Sequence, residues 1–211
     1  MALGLLALVL LVIVGVTRHQ KNKEVSADSP VTLSEVDENR PELDVELLTV
    51  NPYSRPGTAL EKVNGIVIHY TANPGATAIA NRNYFENLKD THTTKASSHF
   101  VVGLEGEIVQ CIPTAEIAYA SNDRNSDTIS IECCYKNEDG SFEQATYDSV
   151  IKLTAWLCAK FGLTSEDVIR HYDVTGKLCP LYYVEHEDAW AQFKKDVDTY
   201  LQVYKTGDEN G

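Results

Sequence analysis

The chain has 211 residues, 43% of them hydrophobic and 23% charged, which is the composition of a globular protein with one domain and room for extensions. Its 31 Asp and Glu residues outnumber its 18 Lys and Arg residues, so the net charge is −13. This balance argues against nucleic acid as a partner, because phosphates attract basic surfaces. The five cysteines are odd in number and irregular in spacing, which argues against a disulfide scaffold.

The chain begins with an unbroken apolar run from Ala2 to Val16, and the cations Arg18, Lys21 and Lys23 come after it. At about 1.5 Å per residue the run rises only about 22 Å, less than the roughly 30 Å of a bilayer core. We predict that residues 1–17 form a short membrane anchor, with an uncleaved signal sequence as the alternative. The cations after the run favour a cytoplasmic position for the rest of the chain, so an extracytoplasmic domain would have to override that rule.

Residues 18–46 form the next segment, which is acidic, contains Pro30 and Pro41 and has few aromatic side chains. Such a composition is typical of a solvated, flexible linker. We therefore place a folded domain at residues 47–204 and a disordered tail at residues 205–211.

The folded domain contains alternating strand and helix patterns. A helix over 76–88 is predicted to turn Ile79, Tyr84 and Leu88 inward, and Thr146 is a plausible N-cap for a helix that ends at Gly162. The remaining predicted elements are strands at 46–50, 65–70, 97–103, 107–112, 128–134 and 168–170, and a final helix at 187–204. Strands interleaved with helices predict a single α/β domain with a central mixed β-sheet flanked by helices.

The stretch from Arg170 to Pro180 (RHYDVTGKLCP) concentrates chemically active side chains in a short loop. His171 and Cys179 are typical zinc ligands, and His69 lies at the C-terminal end of a predicted strand, a usual place for reactive groups. Two histidines and one cysteine make three protein ligands, which leaves one coordination position open, as in catalytic zinc sites. His99 is a competing candidate, although a histidine inside a strand is more often a hydrogen-bonded core residue.

Hydrolysis also needs a base and a cation for the developing oxyanion. Glu132 is the candidate base, because it lies in an otherwise apolar strand where an unpaired carboxylate is costly. Lys177, inside the ligand loop, is the candidate oxyanion stabiliser. The alternatives are an outward-facing glutamate and a surface lysine, and the pattern alone leaves both open.

These motifs resemble those of the zinc-dependent N-acetylmuramoyl-L-alanine amidases, the family of phage lysozyme amidases, cytosolic anhydro-muropeptide amidases and peptidoglycan recognition proteins. The resemblance covers about 47–204 and rests on Gly65 to Thr71 (GIVIHYT), Ser97 to Pro113 (SSHFVVGLEGEIVQCIP), Ile129 to Glu132 (ISIE) and His171 to Pro180 (HYDVTGKLCP). It implies zinc held by His69, His171 and Cys179, Lys177 as a transition-state lysine and Glu132 as a catalytic glutamate.

The resemblance also shows two departures. Ser98 stands where phage lysozymes have an assisting tyrosine, and Tyr119-Ala120 replaces a Trp-His pair of some relatives, so neither role is transferred. The retained Cys179 favours an enzyme, because recognition proteins without activity have typically lost this ligand.

The function that the resemblance implies is hydrolysis of the amide between N-acetylmuramic acid and L-alanine in peptidoglycan. The expected protein is a monomer at a bacterial cell membrane, with an extracytoplasmic catalytic domain. Two alternatives stay open: a non-catalytic peptidoglycan-binding module, and a cytosolic recycling amidase.

Overall fold

The computed structural model describes residues 32–206, so the predicted membrane anchor, the first part of the linker and the end of the tail lie outside the described residues. The strands are β1 (Asp44–Val45), β2 (Gly65–Tyr70), β3 (Phe100–Val102), β4 (Ile108–Gln110), β5 (Thr128–Cys133) and β6 (Val168–Arg170). The helices are α1 (Leu33–Glu38), α2 (Ala78–Thr91), α3 (Gln144–Phe161), α4 (His171–Thr175), α5 (Leu181–Glu185), α6 (Glu187–Leu201) and α7 (Val203–Thr206). Across residues 32–206, every helix is too short or too polar to cross a bilayer.

The six strands form one mixed sheet in the order β1-β4-β3-β5-β2-β6. In this sheet only β3 and β4, which are consecutive in the chain, pair antiparallel, and the other pairs are parallel. The centre of the sheet includes β2, a β-branched run whose first five residues are all buried. A strand of this kind is typical of a parallel sheet covered on both faces, and the predicted single α/β domain with a mixed sheet is confirmed.

The two faces of the sheet are covered unequally. On one face, Ile66 and Ile68 of β2 and Ile131 of β5 pack into the main core with residues of α3 and α6. On the other face, Val101 and Val109 form a smaller cluster with Ala78 and Phe85 of α2. Since α2 covers only part of this second face, the ends of β2 and β5 stay open there for a site.

The linker prediction is wrong over the part of the linker that the structure describes. In α1, Val36 is only 4% exposed and packs into the main core, and α1 lies against α3. Strand β1 pairs with β4, and the predicted strand at 46–50 is absent from the strands found among residues 32–206. Acidic composition predicted solvation, but the buried side chain of Val36 and the backbone pairing order this segment.

Two predicted helix details are also wrong. Ile79 and Tyr84 are 43% and 52% exposed, whereas Asn81 and Phe85 turn inward beside Leu88. Thr146 is not an N-cap but lies inside α3, where its Oγ1 donates a hydrogen bond to the carbonyl oxygen of Gly103. The predicted stop at Gly162 is confirmed, with a left-handed φ of 68°.

Candidate metal centre and cleft

The sheet register places His69 beside Glu132. They are direct partners on the parallel strands β2 and β5, so both side chains project from the same face. Each lies near the C-terminal end of its strand, on the face that α2 covers in part. The register therefore brings the candidate base Glu132 to the same end of the sheet as His69.

The third strand at this end, β6, delivers His171 as the first residue of α4. Helix α4 has only five residues and is followed by Gly176, whose φ of 76° is left-handed and suits glycine. The chain then returns, and the backbone N–H of Tyr172 donates to the carbonyl oxygen of Cys179 at 3.0 Å. This turn brings Cys179 back to the end of β2.

His69, His171 and Cys179 form one buried cluster. Their potential ligand atoms all lie within 4.8 Å of one another, the two imidazole centroids are 4.6 Å apart, and the Cys179 Sγ is 3.9 Å from His69 Nδ1. Nδ1 of His171 is buried and has no hydrogen-bond partner among residues 32–206. A buried polar atom without a partner is costly, so a ligand for this atom is expected.

The protonation chemistry of the cluster fits a bound cation. Burial lowers the pKa of His69 well below its usual value, and the neighbouring His171 and the charge of Lys177 lower it further. The pKa of His171 is lowered by burial and by Lys177 in the same way, so both imidazoles are neutral and can donate lone pairs. Burial raises the pKa of the Cys179 thiol to about 12, and a metal cation is the natural partner that would stabilise its thiolate. The residues therefore fit a borderline-soft metal such as zinc.

Glu132 faces the cluster, and the outward-facing alternative is wrong. Its Oε2 is buried without a hydrogen-bond partner in the described part of the chain. Desolvation raises its pKa to about 8, while the positive charge of Lys177 acts in the opposite direction. Lys177 itself is exposed and lines the same cleft, so the structure brings together all five residues that the sequence singled out.

A cleft of about 390 Å³ opens over the cluster. Besides the five predicted residues, its lining includes Thr71, Lys95, Tyr119 and Asn122. The ammonium group of Lys95 lies 5.4 Å from the ring centre of Tyr119, a cation–π distance. Lys95 and Lys177 supply positive charge to this cleft in a chain whose net charge is −13.

Sequence reasoning missed one loop beside the cluster. Ser121 Oγ lies 3.2 Å from His69 Nε2, and Asn122 Oδ1 lies 3.0 Å from His171 Nε2. The polar run from Ser121 to Asn125 (SNDRN) was the available signal, but polar runs usually mark solvated loops.

The competing histidine, His99, is separate from the cluster. Its Nε2 lies 2.8 Å from the carbonyl oxygen of Glu116, and its Nδ1 accepts a hydrogen bond from the backbone N–H of Ser130 at 3.0 Å. The core interpretation of His99 is therefore confirmed. Ser98 is fully buried, and its hydroxyl donates to backbone carbonyls rather than to the cleft.

Comparison with known families and proteins finds relatives that match most of this chain. A sequence model of the family described as N-acetylmuramoyl-L-alanine amidase matches residues 59–181, which include the whole cluster. N-acetylmuramoyl-L-alanine amidase CwlL of Bacillus licheniformis is 39% identical over 165 residues, covering 72% of this chain and 45% of that protein. N-acetylmuramoyl-L-alanine amidase BlyA of Bacillus subtilis is 36% identical over 171 residues, with 71% and 45% covered. The chain thus spans about half the length of the curated relatives it matches.

Solved structures of other proteins have a similar fold. The catalytic domain of XlyA superimposes with a TM-score of 0.62 at 30% identity, covering 74% of this chain and 99% of that one. A mutant endolysin from Bacillus subtilis gives a TM-score of 0.62 at 31% identity, with 74% and 98% covered.

Proposed function

The chain belongs to the N-acetylmuramoyl-L-alanine amidase family, and on that premise we propose that it hydrolyses the amide between N-acetylmuramic acid and L-alanine in peptidoglycan. The observation that carries the proposal is the cluster of His69, His171 and Cys179 at the base of a cleft that also holds Glu132 and Lys177. One cleft thus contains three possible metal ligands, a carboxylate that can transfer protons and a positively charged side chain.

Zinc is the proposed metal, with His69, His171 and Cys179 as its protein ligands. When bound, zinc supplies Lewis acidity, which makes a water molecule more acidic and polarises a carbonyl oxygen. Three protein ligands leave room for substrate or water, unlike a closed structural site with four.

Glu132 is the proposed proton-transfer group. Its carboxylate accepts a proton from the attacking water and then passes that proton to the leaving amine of L-alanine. Because desolvation raises its pKa to about 8, the group can hold and release a proton near neutral pH, as general acid–base catalysis requires.

Lys177 is proposed to stabilise the negative charge that develops on the carbonyl oxygen. Support for this role comes from its positive charge, which already acts on the pKa values of Glu132, His69 and His171. An ammonium group directed at a developing oxyanion lowers the barrier because it needs little reorganisation during reaction.

Mass spectrometry of defined muropeptides, with zinc quantified in the same protein sample, tests this function. We expect products cleaved between the muramic acid lactyl group and L-alanine, together with about one zinc per chain, since the three ligands form a single site. Bound zinc without new L-alanine amino termini would instead support the non-catalytic peptidoglycan-binding module.

The location of the protein is a further part of the proposal. We propose that residues 1–17 anchor the chain in a bacterial membrane and that the catalytic domain is an extracytoplasmic monomer. What supports the anchor is the apolar run from Ala2 to Val16. Cell fractionation with protease shaving of whole cells tests it, and protection of the domain from protease would favour the cytosolic alternative.

A further inference from the structure

One loop contacts both histidines of the proposed metal site through two consecutive residues. Ser121 Oγ lies 3.2 Å from Nε2 of His69, and Asn122 Oδ1 lies 3.0 Å from Nε2 of His171. The residues of each pair are 52 and 49 positions apart in the chain, so only the folded sheet brings them together.

The contact with Asn122 determines the tautomer of His171. A carboxamide oxygen only accepts hydrogen bonds, so a neutral His171 must carry its proton on Nε2 and donate it to Asn122. Nδ1 is then left with a lone pair, and this buried atom has no partner among residues 32–206. The hydrogen bond to Asn122 therefore leaves Nδ1 of His171 unprotonated, and this nitrogen faces the cluster.

His69 makes a comparable contact with Ser121, whose hydroxyl can either accept from Nε2–H or donate to Nε2, so this contact permits the Nε2–H tautomer without requiring it. Nε2 of His69 faces the hydroxyl of Ser121, whereas its Nδ1 lies 3.9 Å from the Sγ of Cys179. The nitrogen that faces the thiol ligand is again Nδ1. Ser121 is 1% exposed, so no bulk water competes with its hydroxyl for the imidazole.

The loop itself is held in place by hydrogen bonds. Asn125 Oδ1 accepts from the backbone N–H groups of Ala120 and Ser121, at 3.0 and 2.6 Å. Asn122 has a left-handed φ of 52°, a conformation that asparagine tolerates better than most residues. The ion pair between Arg124 and Asp127 at 2.7 Å joins the far end of the turn to the start of β5.

We propose that Ser121 and Asn122 are positioning residues that fix His69 and His171 as Nε2–H tautomers and direct both Nδ1 atoms towards the metal. The inference rests on the proposed zinc site. Partners of this kind on the second nitrogen of a ligating histidine typically change metal affinity by roughly 10-fold to 100-fold. Tyr119-Ala120 departs from the family pattern immediately before this loop, so the inference rests on the contacts of this chain alone.

The test uses the full chain and four single variants in two matched pairs. Asn122→Gly removes the carboxamide but keeps a residue that adopts positive φ, whereas Asn122→Asp keeps an oxygen acceptor. Ser121→Ala removes the buried hydroxyl, and Ser126→Ala makes the same change at an exposed position of the same loop. Zinc affinity is measured by competition with a chromophoric chelator, and imidazole ¹⁵N shifts report the tautomers in metal-free protein.

We expect Asn122→Gly and Ser121→Ala each to weaken zinc binding about tenfold or more, and to convert one histidine from a single Nε2–H tautomer into a mixture. Asn122→Asp and Ser126→Ala should bind zinc like the parent chain. Parent-like affinity and unchanged ¹⁵N shifts in both Asn122→Gly and Ser121→Ala would overturn the inference. If these two variants lose affinity while the parent cleaves no muropeptide, the positioning role stands and the proposed activity fails.

Discussion

At the residue scale, a substitution of Glu132 gives the most direct test of the proposed mechanism. Glu132→Gln keeps the size of the side chain but cannot transfer a proton. We expect amide cleavage to fall by about 10²-fold to 10⁴-fold while the zinc content stays at the parent level. Product release from a defined muropeptide and metal analysis of the same sample measure both quantities.

A matched control for this change is Glu105→Gln, which alters an exposed glutamate in the turn after β3. It should cleave at the parent rate. Near-full activity of Glu132→Gln would remove this residue from the mechanism.

The proposed role of Lys177 in stabilising the oxyanion leads to a separate prediction. Lys177→Met removes the positive charge from the cleft and should reduce kcat by about 10²-fold to 10³-fold, the effect of losing one oxyanion-stabilising group. Lys177→Arg retains the charge and should recover part of that loss. Equal rates for the methionine and arginine variants would contradict a charge-based role.

His99 should make the folded state sensitive to mildly acidic pH. Burial lowers its pKa from 6.5 to about 4, so between these values the unfolded chain binds a proton that the folded chain does not. Stability is then fully present above pH 6.5 and is lost as pH falls towards 4, by about 3 kcal/mol.

Urea unfolding at several pH values, with a metal chelator present throughout, measures this dependence. His99→Gln should be less stable at neutral pH, because it loses the hydrogen bonds to Ser130 and Glu116, but its stability should fall less between pH 6.5 and 4. Identical pH slopes for the two proteins would show that His99 is not the group responsible.

At the scale of elements, the buried side chain of Val36 anchors α1 to the core. Val36 is 4% exposed and Leu33, on the same helix, is 65% exposed. We expect Val36→Ala to lower the free energy of unfolding by about 1–3 kcal/mol, because it removes buried methyl groups and leaves a small cavity. Leu33→Ala serves as the control and should change stability by less than about 0.5 kcal/mol; equal effects would mean that α1 does not dock on the core.

At the scale of elements, some features of the fold could be predicted from the sequence and others could not. Strands β2, β5 and β6 were predictable because their residues are strongly β-branched or alternate, and the register of β2 with β5 then places His69 beside Glu132. The inward face of α2 was not predictable, since few apolar residues mark it and Asn81 is buried in place of Ile79. The contacts of Ser121 and Asn122 depend on sheet topology rather than on any local pattern.

At the scale of the whole molecule, the net charge of −13 should oppose binding to an anionic cell wall. Raising ionic strength from about 10 to 150 mM shortens the screening length from about 30 to 8 Å. We therefore expect hydrolysis of intact anionic walls to rise several-fold over this range, measured as release of soluble muropeptides. A small soluble muropeptide is the control and should be cleaved at a nearly constant rate; a fall in wall hydrolysis with added salt would contradict this view.

The two-residue strand β1 has a consequence for how the protein behaves at high concentration. It covers the outer edge of β4, and the guanidinium of Arg82 donates to the carbonyl oxygens of Glu46 and Leu47 just beyond it. An open sheet edge is a template on which another chain can add a strand and begin to aggregate. Strand β1 should therefore protect the sheet against association between copies, and a shortened chain that begins after β1 would expose the edge of β4 to such pairing.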